Sequence, residues 1–317
     1  MATAFSPSNS VTTTTADKFI PDIWSDEIVA AYKKNLVLAN LVMKMNFKGK
    51  KGDTIHIPAP TRGSATAKAA EVAVTLIAAT ESEVTVSINK HYEYSRLIED
   101  IVEAQALNSL RNFYTSDAGY ALAKQVDTDL VQLGRSTNGG GGTNAYATGA
   151  FIGGDGTTAY VAANNNESAL TDAAIRRTIQ RLDDTDTPMD QRFFLIPPSS
   201  RNTLMGLARY TEQAFVGGTN STIRTGEIGN LYGIPVFVSS NCDTASGTNA
   251  ARVCIMGHRD AVVLVEQVAV RSQVQYKQEY LATLFTSDTL YGVQILRSAA
   301  SVSAAKSASM FALLVPA

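Results

Sequence analysis

Two glycine-rich stretches have the residue type that can cradle an anion. "NGGGGTN" at 138–144 and "TGEIGNLYG" at 225–233 could each present backbone N–H groups to a phosphate. Neither has the Lys-Ser/Thr pair of a P-loop, and neither follows a strand and opens a helix as a dinucleotide fingerprint does. The alternative is a surface loop for the first stretch and a tight turn for the second, with Gly233, Ile234 and Pro235 leading into a strand.

An acidic cluster offers the oxygen ligands that a hard cation prefers. The run "DDTDTPMD" contains Asp183, Asp184, Asp186 and Asp190. Its spacing lacks the central Gly and the distal Glu of a calcium loop. The alternative is that these residues end a helix and form a turn, because Asp supports turns by bonding to its own backbone.

The histidines and cysteines are the remaining candidates for catalysis or metal binding. His56, His91 and His258 fall in separate strand-like segments, without a His or Cys at ligand spacing. A Ser-His-Asp triad stays open, although no G-x-S-x-G elbow occurs. Cys242 and Cys254 have no CxxC partner, which favours buried, inert thiols. We therefore predict no catalytic, cofactor-binding or metal-binding residues.

Size and charge narrow the class of protein. The chain has 317 residues, 45% of them hydrophobic, which is enough for a large core in one elaborate domain or two modest ones. A net charge of -2 argues against tight, sequence-independent binding of nucleic acid, which needs a basic face. Two cysteines cannot form a disulfide framework, so we expect an intracellular folding site. We also expect a soluble chain without a signal peptide or a membrane span.

The first part of the chain predicts extended elements. The Ser/Thr-rich residues 1–19 are too polar to order themselves, and a short amphipathic helix is expected from Pro21. "GDTIHIPAP" and "SEVTVSINKHYEY" alternate as two half-buried strands, with His56 pointing off the apolar face. A lone two-stranded ribbon is marginal in water, so its missing neighbours are expected in another subunit.

The rest of the chain mixes helices and strands, with no internal repeat. Residues 97–134 predict a short helix and then a long one from Asn108 or Ser109, while residues 136–166 read as a glycine-rich surface excursion. The further predictions are a helix over 167–184, a buried strand at Phe193–Ile196, a helix begun by Pro198, and two strands around a "TSD" turn at 286–288. The fold class is therefore α+β.

The order of these segments resembles the major capsid proteins of tailed bacteriophages with the Hong Kong 97 type coat fold. The segments that carry the resemblance are "IPDIWSDEIVAAYKKNLVLANLV", "GKKGDTIHIPAP" with "VTVSINKHYEYSRLIEDIVEAQA", "LDDTDTPMDQRFFLIPPSSRNTLM" and "GNLYGIPVFVSSN". Together they span roughly residues 20–298, and each motif is short, so the weight lies in their order.

The resemblance implies a division of the chain into five parts. These are an N-terminal arm at 1–45; an extended loop, or β-ribbon, at 46–98; a peripheral domain at 99–189 with a long spine helix and the glycine-rich insertion at 136–166; an axial domain at 190–258; and further peripheral-domain strands with a C-terminal tail at 259–317. The insertion and the tail have no assigned family role.

The resemblance also implies a structural, non-enzymatic function. The expected protein self-assembles, as hexamers and pentamers, into an icosahedral head shell that encloses the genome. Implied partners are further copies, scaffolding, portal or decoration proteins, and packaged double-stranded DNA held without sequence recognition. No cofactor, membrane or small-molecule substrate is implied, and the expected location is the virion, with the host cytoplasm during assembly.

Some family members cross-link neighbours through a Lys, an Asn and a catalytic Glu. Lys68 lies in the extended loop, but no matching Asn or Glu is identified, so no cross-link is predicted. The alternatives are an encapsulin-like nanocompartment shell protein and, from another class, a hydrolase or metal-dependent enzyme.

Overall fold

The structure is a computed structural model that describes residues 37–49, 51–60, 65–74, 76, 81–100, 109–136, 150–161, 166–207, 229–242, 251–296 and 309–316. Its helices are α1 (Leu38–Leu41), α2 (Ser109–Ser136), α3 (Asp172–Asp184) and α4 (Pro198–Met205). Its strands are β1 (Met43–Asn46), β2 (Thr54–Pro60), β3 (Glu81–Ser87), β4 (Lys90–Glu99), β5 (Phe151–Ile152), β6 (Arg192–Ile196), β7 (Asn230–Leu231), β8 (Ile234–Val238), β9 (Ala251–His258), β10 (Val262–Lys277), β11 (Ala282–Ile295) and β12 (Met310–Pro316). The helix predicted from Pro21 includes Leu36 and Ala39; its part up to residue 36 lies outside the described residues, and α1 covers only Leu38–Leu41.

A six-stranded sheet forms the centre of the molecule, in the order β5-β12-β9-β6-β8-β7. All five residues of β6 are buried, which explains why its last four, Phe193–Ile196, form a continuous apolar run and not an alternating one. Phe194 and Ile196 face one core with α3 and α4, whereas Phe193 and Leu195 face a second core that α2 also lines. The sheet is therefore covered on both faces.

A four-stranded sheet, in the order β1-β10-β11-β4, shares that second core. The inner end of β10, Val262–Val265, is buried, and β1 pairs beside it in parallel. Leu130 and Val131 of α2 lie in the same core as Val262, so the long helix joins the two sheets. The sheet thus has a buried inner end, while the outer half of β10 is exposed.

β2 and β3 form a separate antiparallel ribbon. At its base, Ile55 and Ile57 pack with Val86 against β10, and the side chain of His56 is 58% exposed. This confirms the predicted alternation and the outward direction of His56. The sequence predicted one strand over residues 82–94. In the structure, residues 88 and 89 interrupt it, so that β3 pairs with β2 in the ribbon and β4 is a separate strand.

Other predictions also differ from the structure. Residues 97–99 continue β4 and are not helical, because their register with Ala282–Leu284 extends the sheet. The predicted "TSD" turn is wrong: Thr286–Asp288 lie inside β11, and the chain turns instead at Gln278–Leu281, where Leu281 has a φ of 44°. Cross-strand partners explain this, since the Ser287 hydroxyl lies 2.8 Å from the Ser272 hydroxyl.

The insertion at 136–166 also differs from its prediction. Its described part is not a surface excursion. Ala150 and Tyr160 are buried, and β5 pairs in parallel with β12. Gly156 has a φ of 62°, and a Cβ there would lie 2.9 Å from the Cα of Ala174, so glycine permits the close contact with α3. Residues 137–149 and 162–165 of the insertion lie outside the described residues.

The C-terminal residues also belong to the core. β12 pairs with β9 from Met310↔Gly257 to Pro316↔Ala251, and residues Met310–Val315 are buried. Residues 310–316 of the segment predicted only as a tail therefore form a strand in the same sheet as β6, β8 and β9. No helix in the described ranges is long and apolar enough to cross a membrane.

Candidate assembly surfaces

The segment beyond the ribbon strands exposes apolar side chains at alternate positions. Val72, Val74 and Leu76 are 57%, 68% and 89% exposed. Single exposed apolar residues are ordinary, but a stripe of three at the far end of a ribbon indicates a contact surface. The ribbon base needs no such partner, because Ile55 and Val86 are packed against the sheet.

The outer half of the β10–β11 hairpin forms a second exposed surface. Val270, Val274 and Tyr276 are 51%, 53% and 47% exposed, and Tyr280 and Leu281 at the turn are 63% and 67% exposed. The register between β10 and β11 is irregular between Val268 and Arg271, which is where the buried inner half gives way to the exposed outer half. A bulge of this kind bends a strand and redirects its side chains.

An ion pair holds the outer hairpin together just beyond this irregularity. The Arg271 Nε and Nη2 atoms donate to the two oxygens of Asp288 at 2.8 and 2.9 Å. The His91 Nε2 atom lies 3.2 Å from Asp288 Oδ2, so three strands meet at one carboxylate. The hydrogen bond from Arg271 lowers the pKa of Asp288. The hairpin therefore leaves the core with a defined geometry.

Asp127 of α2 forms a buried junction between three parts of the chain. Its carboxylate is fully buried and accepts hydrogen bonds from the backbone N–H groups of Leu38 and Ala39 at 2.9 and 3.4 Å. Its second oxygen accepts from Asn241 Nδ2 at 3.0 Å, and Asn241 follows β8. A buried carboxylate is stable only when its oxygens are satisfied in this way. Asp127 thus fixes the start of α1 and the end of β8 to the middle of α2.

Asp129, two residues further along α2, makes the corresponding junction with the four-stranded sheet. Its Oδ2 atom accepts from the Tyr291 hydroxyl at 2.6 Å and pairs with Lys90 Nζ at 3.0 Å. Burial raises the pKa of Tyr291, and the hydrogen bond to Asp129 raises it further, so this hydroxyl stays protonated as a donor. The two carboxylates anchor opposite neighbours of the same helix.

The described end of the second glycine stretch, residues 229–233, turns the chain, which is the alternative to anion binding that the sequence offered. Tyr232 and Gly233 have φ values of 52° and 82° and connect β7 to β8 as a two-residue hairpin. Positive φ at both central residues is the signature of a type I′ turn. Residues 138–144 and 225–228 lie outside the described residues.

The acidic cluster forms a helix end and a turn. Asp183 pairs with the buried guanidinium of Arg192, whose Nη2 atom lies 2.8 Å from its carboxylate. Asp186 has a φ of 54° and forms the turn after α3. Among the described residues, no group of three or more His, Cys, Asp or Glu side chains could hold a metal ion.

The histidines and cysteines do not converge on one site. His56 pairs with Glu83 in the ribbon, His91 lies at Asp288, and His258 accepts from the backbone of Asp260. Cys242 and Cys254 are buried free thiols, as predicted. Burial raises the pKa of Cys254 to about 12 and also raises that of Cys242, so neither forms a reactive thiolate at neutral pH.

Sequence reasoning missed the two anchoring carboxylates. The run "VDTDLVQL", which begins at Val126, places two Asp residues inside an apolar part of a helix. Such residues are rarely buried without partners. Their position among the apolar residues Val126, Leu130 and Leu133 was the available signal for a buried junction.

Comparison with known proteins identifies what the chain resembles. A model of the phage capsid family matches residues 17–304, which is most of the chain. No curated protein matches the sequence.

Solved structures show the same fold. A structure named for Mycobacterium phage Che8 aligns with a TM-score of 0.72 at 20% identity, covering 93% of this chain and 97% of that chain. The capsid of Cyanophage P-SCSP1u has a TM-score of 0.72 at 19% identity and covers 99% of each chain. The capsid of a native GTA particle has a TM-score of 0.65 at 13% identity, covering 98% of this chain and 99% of that chain.

Proposed function

The chain belongs to the phage capsid family, and from this premise we propose how its regions divide the work of a shell subunit. It is a major capsid protein, a structural component of the head shell in the virion, and it assembles with further copies of itself. The mixed α+β fold agrees with the fold expected from the sequence.

In the proposed division, the two sheets form the wall and the extended elements make the contacts. Residues 1–45 act as an arm, residues 46–98 as the loop that reaches over a neighbour, and α2 as the spine. The proposed axial unit, residues 190–258, gains two further parts, because β5 and β12 belong to the same sheet as β6, β8 and β9. Residues 99–189, apart from β5, and the β10–β11 hairpin make up the peripheral unit.

The observation that carries this proposal is the exposure of apolar side chains at the ends of both extended elements. Leu76 beyond the ribbon is 89% exposed and Leu281 at the hairpin turn is 67% exposed. Side chains of this kind gain about 25 cal/mol for each Å² of apolar area that leaves water. Repeated over many modest interfaces, this burial makes stability a property of the shell.

We propose that the shell wall encloses DNA without binding it tightly. The net charge of -2 gives no overall attraction for a polyanion. Scaffolding, portal or decoration proteins are the further partners we propose, with assembly in the host cytoplasm. We also propose that no residue has a catalytic, cofactor-binding or metal-binding role.

The contacts between copies are proposed to be non-covalent. Lys68 is exposed, and its Nζ atom lies 3.5 Å from the carbonyl oxygen of the adjacent Ala69. Particles boiled in detergent should therefore release a single band at the mass of the chain, 33.8 kDa. A ladder of multiples that survives boiling and reducing agent would contradict this proposal.

Electron microscopy and sedimentation of the purified full-length chain test the function. We expect closed, uniform particles under assembly conditions, either with the wild-type chain alone or after addition of a scaffolding protein. Particles from infected cells should contain nuclease-protected DNA and no enclosed enzyme. A chain that remains a compact monomer under all these conditions would contradict a shell function.

A further inference from the structure

One flank of the outer β10 strand lacks a strand partner among the described residues. β1 pairs with β10 only from Met43↔Val263 to Asn46↔Glu266, and the chain then turns away through Gly49 and Gly52. From residue 271 to residue 277, β10 pairs with β11 alone. A long exposed edge of this kind presents unpaired backbone groups that can accept another strand.

The two faces of this edge differ in polarity. Val274 and Tyr276 lie on the face that also carries Phe285, which is only 7% exposed. Near this patch, Tyr94 and Arg96 of β4 contact α2 through Asp117 and Tyr114. The opposite face carries the polar side chains of Arg271, Gln273, Gln275 and Lys277. The edge therefore offers an apolar margin on one face and a polar margin on the other.

The segment at the far end of the ribbon has the matching pattern. Val72, Val74 and Leu76 alternate with Ala73 and Thr75, and the three apolar side chains are more than half exposed. Val and Thr favour strands because branched side chains pack well on a pleated surface. Glu71 has a φ of 63°, so an extended segment can begin only after it, at Val72.

We propose that residues 72–76 of one copy add as a strand to the free flank of residues 271–277 in a second copy. This inference rests on the proposed function and specifies the partner surface of the extended loop. Strand addition supplies main-chain hydrogen bonds, while alternate side chains supply specificity. Pairing Val74 with Val274 keeps the apolar side chains on one face in either strand direction.

The position of the ribbon favours a second copy over the same chain. The ribbon base is tied to β10 by a hydrogen bond from Gln267 Nε2 to the Gly52 carbonyl at 2.9 Å. Seven-residue strands at about 3.3 Å per residue carry the chain about 23 Å from that base. Each copy has one such segment and one such edge, so head-to-tail pairing satisfies both and closes into rings. Residues 1–36 are a poorer occupant, because residues 1–19 lack large apolar side chains at alternate positions and the segment from Pro21 is helical in pattern.

Two single-cysteine variants test the contact directly. V74C and V274C are prepared separately in the full-length chain, mixed before assembly, and oxidised mildly after particles form. Paired residues on adjacent strands have Cβ atoms about 4.5–5.5 Å apart, within reach of a disulfide. The native Cys242 and Cys254 are buried and do not compete. We expect a disulfide-linked dimer in the mixture, and none when either variant assembles alone.

The outcomes separate this inference from the proposed function. Absence of particles from the wild-type chain contradicts the proposed function, whereas particles that give no V74C–V274C dimer contradict strand addition alone. A disulfide that forms only within a chain carrying both substitutions also overturns the inference, because the occupant would then be the same copy.

Two further measurements apply if the cysteine variants fail to assemble. In the wild-type chain, amides 271–277 should exchange with deuterium at least tenfold more slowly in particles than in free subunits. Equal exchange would refute the contact. V74K should lower the particle yield by about tenfold, as expected for one charged side chain placed in a packed apolar contact. The control M189K, at an exposed Met in the turn after α3, should assemble normally.

Discussion

Replacing Asp127 should loosen the junction between α1, α2 and the end of β8. In D127A, the buried N–H group of Leu38 and the side chain of Asn241 lose their acceptor. Hydrogen bonds to charged groups contribute about 1.5–3 kcal/mol each, and a buried unsatisfied donor costs about 1–3 kcal/mol. Because Asn241 keeps its contact with Thr128 and Ala39 is only half-buried, we expect a total loss of about 3–5 kcal/mol rather than the full sum.

The isosteric change D127N should cost less. Its amide oxygen can still accept from Leu38, but its amide nitrogen faces the nitrogen of Asn241, so one donor is left opposite another. We expect the free energy of unfolding of the unassembled subunit to fall by about 1.5–3 kcal/mol. The measurement is the urea midpoint at constant slope, read by circular dichroism.

A double variant that exchanges the two side chains and a control variant on the same helix test this prediction. The double variant D127N/N241D restores a donor opposite an acceptor and should recover more than half of the loss. D117N changes the same residue type on the same helix, at a half-buried position bonded to the Tyr94 hydroxyl, and should cost less than about 1 kcal/mol. If D127N destabilises the subunit no more than D117N does, the junction does not hold the three segments together.

The geometry also predicts the effects of substitutions at Gly233 and Asp288 and the reactivity of the two cysteines. G233A should destabilise the β7–β8 hairpin by about 1 kcal/mol through its φ of 82° alone, since a Cβ there meets no atom within 4 Å, whereas G229A should be neutral in the same thermal melts. The pKa of Asp288 is lowered in the folded state. The stabilisation that its carboxylate provides is therefore complete above the unfolded-state pKa of about 3.9, and it is lost as the pH falls through the folded-state pKa. D288N should therefore show a smaller drop in urea midpoint below about pH 4 than the wild type. Neither Cys242 nor Cys254 should react with a thiol reagent at neutral pH until the chain unfolds, and prompt labelling of the folded subunit would contradict their burial.

The sequence predicted those elements whose pattern is decided locally. α4 begins with Pro198 in its first turn, as predicted, and Phe193–Ile196 of β6 form a continuous apolar run. The helix predicted over 167–184 is correct in type, but α3 begins only at Asp172, where Thr171 caps it. The turn before β8 was predictable because a Gly followed by Ile-Pro permits positive φ and then an extended chain.

The elements that the sequence did not predict depend on distant partners. Thr286–Asp288 have turn-forming side chains, but Ser272 and Arg271 bind them across the hairpin and keep them in β11. The C-terminal residues look like a tail until β9 and β5 are placed on either side of them. Register and sheet order are long-range properties, so local propensity cannot supply them.

The buried carboxylates and the exposed apolar stripes have complementary roles. Asp127 and Asp129 hold α2 to α1, β8 and the four-stranded sheet, and Asp288 fixes the hairpin where it leaves the core. Each extended element is therefore fixed at its base, while its apolar end is exposed. Ordering a flexible arm costs entropy when it binds, and an anchored base reduces that cost before assembly begins. Weakening an anchor should then lower the assembly rate even where the contact surface itself is unchanged, so D288N should assemble more slowly than wild type into particles of the same size.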